Sequence, residues 1–185
     1  GGLEGKDIAD ILAMAAEGAA LSGSGCVREL GYIDRYSEGL VRFVREKTGQ
    51  EQPLAGKKIV VDAGNGAGGF YVDKVLKPLG ADTAGSQFLE PDGNFPNHIP
   101  NPEDKKAMHA ISQRVKETSA DFGIIFDTDV DRAGAVDSQG EEINRNRLIA
   151  LISAILLQEK SGTIVTDSVT SDGLTAFIES RGGKH

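Results

Sequence analysis

Hydrophobic and polar positions along this chain fall into two alternating patterns. Short β-branched runs are separated by longer stretches with helical spacing, and Gly or Asp stands at most changeovers. Near the start, Lys6 to Ala20 carries Ile8, Ile11, Leu12 and Ala15 at helical intervals, and the small residues Ser22 to Gly25 interrupt it, which predicts an amphipathic helix and a flexible link. Asp34 through Thr48 predicts a second helix, with Leu40, Val41, Phe43 and Val44 on its apolar face, Asp34 as cap and Gly49 as stop. The stretch to Pro53 then reads as an entry linker. Lys58 to Val61 has the look of a buried strand, followed by a glycine-rich turn, Asp62 to Gly69, and a helix to Leu79 that Gly80 ends.

A second short strand is expected near Thr83 to Gln87, then a Pro- and Asn-rich loop, Glu90 to Glu103, and a helix from Asp104 to Thr118. Phe122 to Phe126 predicts a third strand. Ala133 to Val136 with Glu142 and Ile143 predicts a hairpin around Ser138-Gln139-Gly140, Asn146 to Lys160 an apolar helix, and Thr163 to Thr166 a last strand leading into another helix. Strands alternating with helices imply an α/β fold: a mixed, mostly parallel sheet with helices on both faces. No internal repeat and no low-complexity tract interrupts this order.

Composition narrows the function. The 185 residues carry 20 Lys and Arg against 28 Asp and Glu, a net charge of -8, and their basic residues form no stripe. Nucleic acid and acidic membranes are therefore poor partners. The single cysteine, Cys26, allows neither an intramolecular disulfide nor a paired-cysteine metal site, and suits a reducing cytoplasm. No apolar run reaches the roughly 20 residues that span a bilayer. The first residues lack the pattern of a signal peptide. A chain opening at Gly1-Gly2 and stopping at Lys184-His185, where a strand is due, reads as a segment of something longer.

The chemistry gathers where the third strand ends. Asp127, Asp129 and Asp131 follow the apolar run Gly123 to Phe126 at alternate positions. Carboxylates so close repel one another unless a cation lies between them, and open α/β sheets place ligands at the carboxyl ends of their strands. Mg2+ is the natural hard cation for such oxygens. Arg132 adds a planar donor suited to a phosphate or sugar oxygen. The alternative of three solvated turn formers leaves the repulsion without purpose.

An EF-hand also begins D-x-D-x-D, but Arg132 and Ser138 stand where it requires Gly and Glu. A haloacid-dehalogenase-like phosphatase would use Asp127 as nucleophile and Asp129 as acid. Gly64, Gly66 and Gly69 fit G-x-G-x-x-G between strand and helix, as in a dinucleotide-binding module, although Asp62 would then face a pyrophosphate. His98, without a carboxylate partner visible in the sequence, reads as a loop-packing residue, His109 as surface, and Cys26 as inert. Ser171 or Asp172 could cap the last helix.

Asp127 to Arg132 resembles the D-G-D-x-D-R metal loop of the α-D-phosphohexomutases, the phosphoglucomutase and phosphomannomutase family, with Thr128 in place of the usual Gly. The similarity extends through Val61-Asp62-Ala63-Gly64-Asn65-Gly66, Pro91-Asp92-Gly93-Asn94-Phe95-Pro96 and Pro100-Asn101-Pro102-Glu103, and covers nearly the whole chain. The resemblance implies a fragment: residues 1–33 as the tail of a first domain, 34–160 as the metal-binding second domain, and 161–185 as the start of a third. It implies Mg2+ held by Asp127, Asp129 and Asp131, Arg132 for a sugar phosphate, and interconversion of sugar 1- and 6-phosphates through a phosphoserine. Nothing here matches the family's phosphoserine loop, so no catalytic residue is assigned and the segment alone is expected to be inactive. Sugar preference and oligomeric state are not implied.

Overall fold

A computed structural model describes residues 2–18 and 22–185, which divide into two units, Gly1–Gly31 and Tyr32–His185. In the first, α1 (Gly5–Glu17) buries no residue, and the Asp7 carboxylate accepts the Glu4 backbone N–H at 2.9 Å. The predicted helix agrees as far as Glu17, while Ala19 and Ala20 lie outside the described residues. Ser22 to Gly25 has no regular structure.

The second unit opens with α2 (Tyr32–Thr48), which starts two residues before the expected cap. Asp34 instead lies in the first turn, where a negative charge suits the helix dipole, and it pairs with Lys74. Gly49, at φ 65°, ends the helix as expected. Val41 packs with Val75 and Leu79, flanked by Leu40 and Val44.

The sheet has β1 (Ile59–Asp62), β2 (Phe122–Phe126) and β3 (Ala133–Asp137) in that order. β1 and β2 are parallel, Ile59 facing Phe122, and β2 and β3 are antiparallel, Gly123 facing Val136. Because successive side chains point to opposite faces, the strands feed two cores. Val60, Ile125 and Val136 meet Ala107, Ile111 and Val115 of α3 (Lys105–Thr118) on one face. Ile59, Val61 and Phe126 meet Val72 and Leu76 on the other. The Asp104 carboxylate caps α3, accepting the N–H groups of Lys106 at 2.9 Å and Ala107 at 3.0 Å.

Three expected elements come out differently. In place of one α-helix to Leu79 stand a 3-10 turn (Ala67–Gly69) and a π-helical segment (Val72–Leu76), with Lys77 N–H bonded to Val72 O at 3.0 Å and Ala81 N–H to Leu76 O at 3.1 Å. The glycines are weak helix formers, and the wider winding buries Val72, Val75 and Leu76 together. The expected strand at Thr83 to Gln87 is reduced to two parallel bridges, Lys58 with Asp82 and Asp62 with Gln87. Between them the Ser86 hydroxyl, rather than a backbone carbonyl, accepts the Val61 N–H at 3.0 Å, so the ladder breaks. Thr163 to Thr166 likewise contributes a single bridge, Thr163 with Lys184.

The predicted hairpin is present, turning at Gly140, φ 72°. After it, α4 (Arg145–Glu159) is capped by Asn144, and α5 (Asp172–Ser180) buries Leu174 and Ile178. Ser171 is the cap residue of α5 but makes no capping bond through its side chain. Among the described residues no helix is long and apolar enough to cross a membrane.

At Gly123 α3 and the sheet approach closely. A Cβ there would lie 2.5 Å from Val136 Cγ2 and 2.6 Å from Val115 Cγ2. Gly123→Ala should therefore destabilise the second unit by about 1–3 kcal/mol through overpacking. Urea unfolding should show a lower midpoint with an unchanged slope.

Candidate metal centre

β2 ends at Phe126, and the chain then turns so that ligand oxygens of Asp127, Asp129 and Asp131 lie within 4.8 Å of one another. Val130 takes φ 68°, a left-handed conformation that a β-branched residue rarely adopts and that costs on the order of 1–3 kcal/mol. That turn brings three alternate carboxylates together instead of letting them point along a strand. Asp127 is 1% exposed, whereas Asp129 and Asp131 are open to solvent. One carboxylate thus anchors the loop and two are presented outward.

Arg132 grips the anchor. Its backbone N–H and Nε donate to the two Asp127 oxygens at 3.0 and 2.9 Å, and its carbonyl accepts the Asp127 N–H at 3.2 Å. A terminal nitrogen, Nη1, donates to Asn101 Oδ1 at 3.4 Å. Burial alone would raise the Asp127 pKa, but the Arg132 backbone bond, the Asp131 carboxyl and the Arg132 guanidinium outweigh it and hold the group below its ordinary value. Asp131 moves the other way, raised first by its hydrogen bond to Asp127 and then by the charges of Asp129 and Asp127. The Arg132 pKa is raised in turn by its bond to Asp127.

The glycine-rich turn supports this loop from below. Ala67 N–H bonds to Thr128 O at 2.9 Å, and a Cβ on Gly66 would lie 2.7 Å from that same oxygen. Gly64, at φ 54°, has Pro100 against it, and Gly68 has the Phe126 ring. The close approaches these glycines permit are thus taken up by the protein's own loops. A pyrophosphate resting on Gly64 and Gly66 would collide with Pro100 and Thr128, which argues against the dinucleotide reading. Asp127, with both oxygens engaged by Arg132, is equally poorly disposed to act as a phosphatase nucleophile.

Two contributors were not legible from residue spacing. Asn101, between two prolines, reaches Arg132 from the long loop. His98, read from sequence as loop packing without a partner, is buried and has a carboxylate: its Nε2 stands 3.0 Å from Asp62 Oδ2. No local pattern could reveal that bond, because 36 positions separate the two residues. His109 is exposed on α3, as expected, and Cys26 is exposed as well. The Thr170 hydroxyl pairs with that of Thr166, and the Ser171 backbone N–H donates to Asn146 Oδ1 on α4.

The sequence model described as phosphoglucomutase/phosphomannomutase, alpha/beta/alpha domain II, matches residues 31–140. A phosphomannomutase/phosphoglucomutase of Pseudomonas putida is 37% identical over 162 residues, covering 86% of this chain and 33% of the relative. A phosphoglucomutase of Neisseria gonorrhoeae is 33% identical over 185 residues, covering 98% of this chain and 38% of its own length. A crystal structure of a phosphoglucomutase/phosphomannomutase family protein from Burkholderia thailandensis superposes with a TM-score of 0.79 at 30% identity, over 98% of this chain and 38% of that one. The chain thus spans between a third and two fifths of the length of these relatives.

The opposed shifts of Asp127 and Asp131 make a testable pair. A carboxyl with a lowered folded pKa adds stability above its ordinary range, and that stability is lost as pH falls. One with a raised folded pKa subtracts stability as pH rises through that range. Asp131→Asn should therefore raise the metal-free melting temperature at neutral pH, with the gain vanishing in acid. Asp127→Asn should lower it at neutral pH. Thermal unfolding at several pH values, without divalent ions, checks both signs.

Proposed function

The chain belongs to the phosphoglucomutase/phosphomannomutase family, and on that premise we propose that it is the metal-binding part of a magnesium-dependent phosphohexomutase. The enzyme would interconvert sugar 1-phosphates and 6-phosphates through a phosphoserine. The convergence of Asp127, Asp129 and Asp131 at the carboxyl end of β2, with Arg132 beside them, carries this reading. Their donor set is all hard oxygen, and the two exposed carboxylates leave the outward side open to water and phosphate, as Mg2+ requires. When bound, Mg2+ supplies neutralisation of the charge that develops on a transferred phosphoryl group.

The protein's own residues do the positioning. Asp127 fixes the loop and orients Arg132 through two hydrogen bonds, and Asp129 and Asp131 project the outward oxygens. Arg132, with its side chain 54% exposed, keeps guanidinium surface free for a phosphate or sugar oxygen. A phosphoryl carrier must come from elsewhere in a longer protein. Ser138 follows β3 at the end of the sheet opposite the aspartates, and Ser168 and Ser171 belong to the segment around α5. A reducing cytoplasm suits a chain with one cysteine.

Residues 1–33 belong in this reading to the preceding domain. The family's domain II match ends at residue 140, and α4 packs with α5. Residues 34–160 are kept as the metal-binding domain and 161–185 as the start of a third.

Calorimetry should show Mg2+ binding to this chain in the millimolar range, worth roughly 4 kcal/mol. Asp129→Asn should weaken it, and unchanged affinity would remove the aspartates from the metal role. The chain alone should not isomerise glucose 1-phosphate, with Mg2+ and a sugar bisphosphate supplied. Within a full-length enzyme, Asp129→Asn should lower kcat more than it raises KM. Phosphate release by the isolated chain would favour the phosphatase alternative.

A further inference from the structure

Asp62 closes β1 and is fully buried. Its carboxylate accepts the Gly64 N–H at 2.9 Å, the Gln87 Nε2 amide at 2.8 Å and His98 Nε2 at 3.0 Å. A carboxylate with three donors is well satisfied, but it is an expensive group to bury for the sake of a turn. The Gly64 and Gln87 bonds are local to the strand edge. The His98 bond instead ties the sheet to the long loop that Glu90 to Glu103 forms.

His98 sits with the Phe88 ring edge-on at a centroid distance of 5.4 Å, and its Nδ1 lies 3.0 Å from the Ile99 carbonyl. From this fixed point the next residues reach the metal loop. Pro100 is buried on Gly64, where even a methyl group would come within 2.7 Å of its Cβ. Asn101 then presents Oδ1 to Arg132 Nη1 at 3.4 Å and accepts the Glu103 N–H at 3.0 Å. The guanidinium is thereby held from two sides, by Asp127 of its own loop and by Asn101 of the other.

We propose that Asp62 and His98 are a positioning pair: their buried hydrogen bond seats residues 98–101, so that Asn101 sets the outer side of Arg132 beside Asp127. The functional consequence rests on the phosphate role given to Arg132 above, but the positioning itself does not. Neither residue touches the acidic cluster. Each acts through Asn101.

The test exploits the two ring nitrogens. Gln can place an amide nitrogen near the position of Nε2, whereas Asn reproduces only the Nδ1 side. Amide hydrogen exchange and the Arg132 side-chain signals would be followed by NMR in metal-free protein for His98→Asn, His98→Gln and Asn101→Ala. His98→Asn should speed exchange at Asn101 and Asp104 by about tenfold or more, the scale of one lost bond to a charged group, leave Ile111 in α3 little changed, and shift the Arg132 Nη signals. His98→Gln should stay within about threefold of the wild type, well inside that loss.

Asn101→Ala, in a half-buried loop position that leaves the pair intact, should shift the Arg132 signals and release the Glu103 N–H, with Ile111 unchanged. Equal acceleration at Ile111, a His98→Gln variant no better than His98→Asn, or unmoved Arg132 signals in Asn101→Ala would each overturn the proposal. None of these readouts needs a metal. Failure of Mg2+ to bind would sink the proposed function and leave the positioning pair standing.

Discussion

Mutual repulsion among the carboxylates of Asp127, Asp129 and Asp131 is the constraint around which the second unit is organised. With ligand oxygens within 4.8 Å of one another, the three groups would push their loop apart unless something held it. The hold is built from inside outward. Asp127 is withdrawn from water and pinned by both the backbone and the guanidinium of Arg132, which keeps it charged and lowers its pKa. The cost of that arrangement falls on Asp131, whose pKa rises through its hydrogen bond to Asp127 and then the charges of Asp129 and Asp127. Such a loop is poised to gain from a cation, since a divalent ion relieves the repulsion that the fold maintains.

Rigidity beneath the loop comes from the absence of side chains. Gly64, Gly66 and Gly68 let Pro100, Thr128 and the Phe126 ring approach the turn after β1 more closely than a Cβ would permit. Two loops that leave different parts of the chain, 90–103 and 127–132, therefore rest on a common turn and meet through Asn101 and Arg132. The same close packing recurs in the middle of the sheet, where Gly123 admits Val115 and Val136. The glycine pattern that suggests nucleotide binding in one dimension serves, in three, to bring the protein's own loops together.

Periodicity and composition by themselves determined much of this protein. They are local properties, and the elements they specify are stabilised by the face they bury. The helix ending at Thr118, the strand Phe122 to Phe126, the hairpin around Gly140 and the three aspartates in one register could all be read from neighbours within a few positions. So could the α/β class, because a strand and a helix of that spacing must cover each other.

Only the tertiary structure decided what depends on residues far apart. The helix expected after the glycine turn became a 3-10 turn and a π-helical segment, because its register had to bury Val72, Val75 and Leu76 at once between the sheet and α2. The strand expected at Thr83 to Gln87 dwindled to two bridges when a serine hydroxyl took the place of a ladder carbonyl. His98 acquired its carboxylate from Asp62, and Arg132 its second support from Asn101, 36 and 31 positions away. Hydrogen bonds of that kind leave no periodic trace, since only the folded chain brings the donor within about 3 Å of its acceptor.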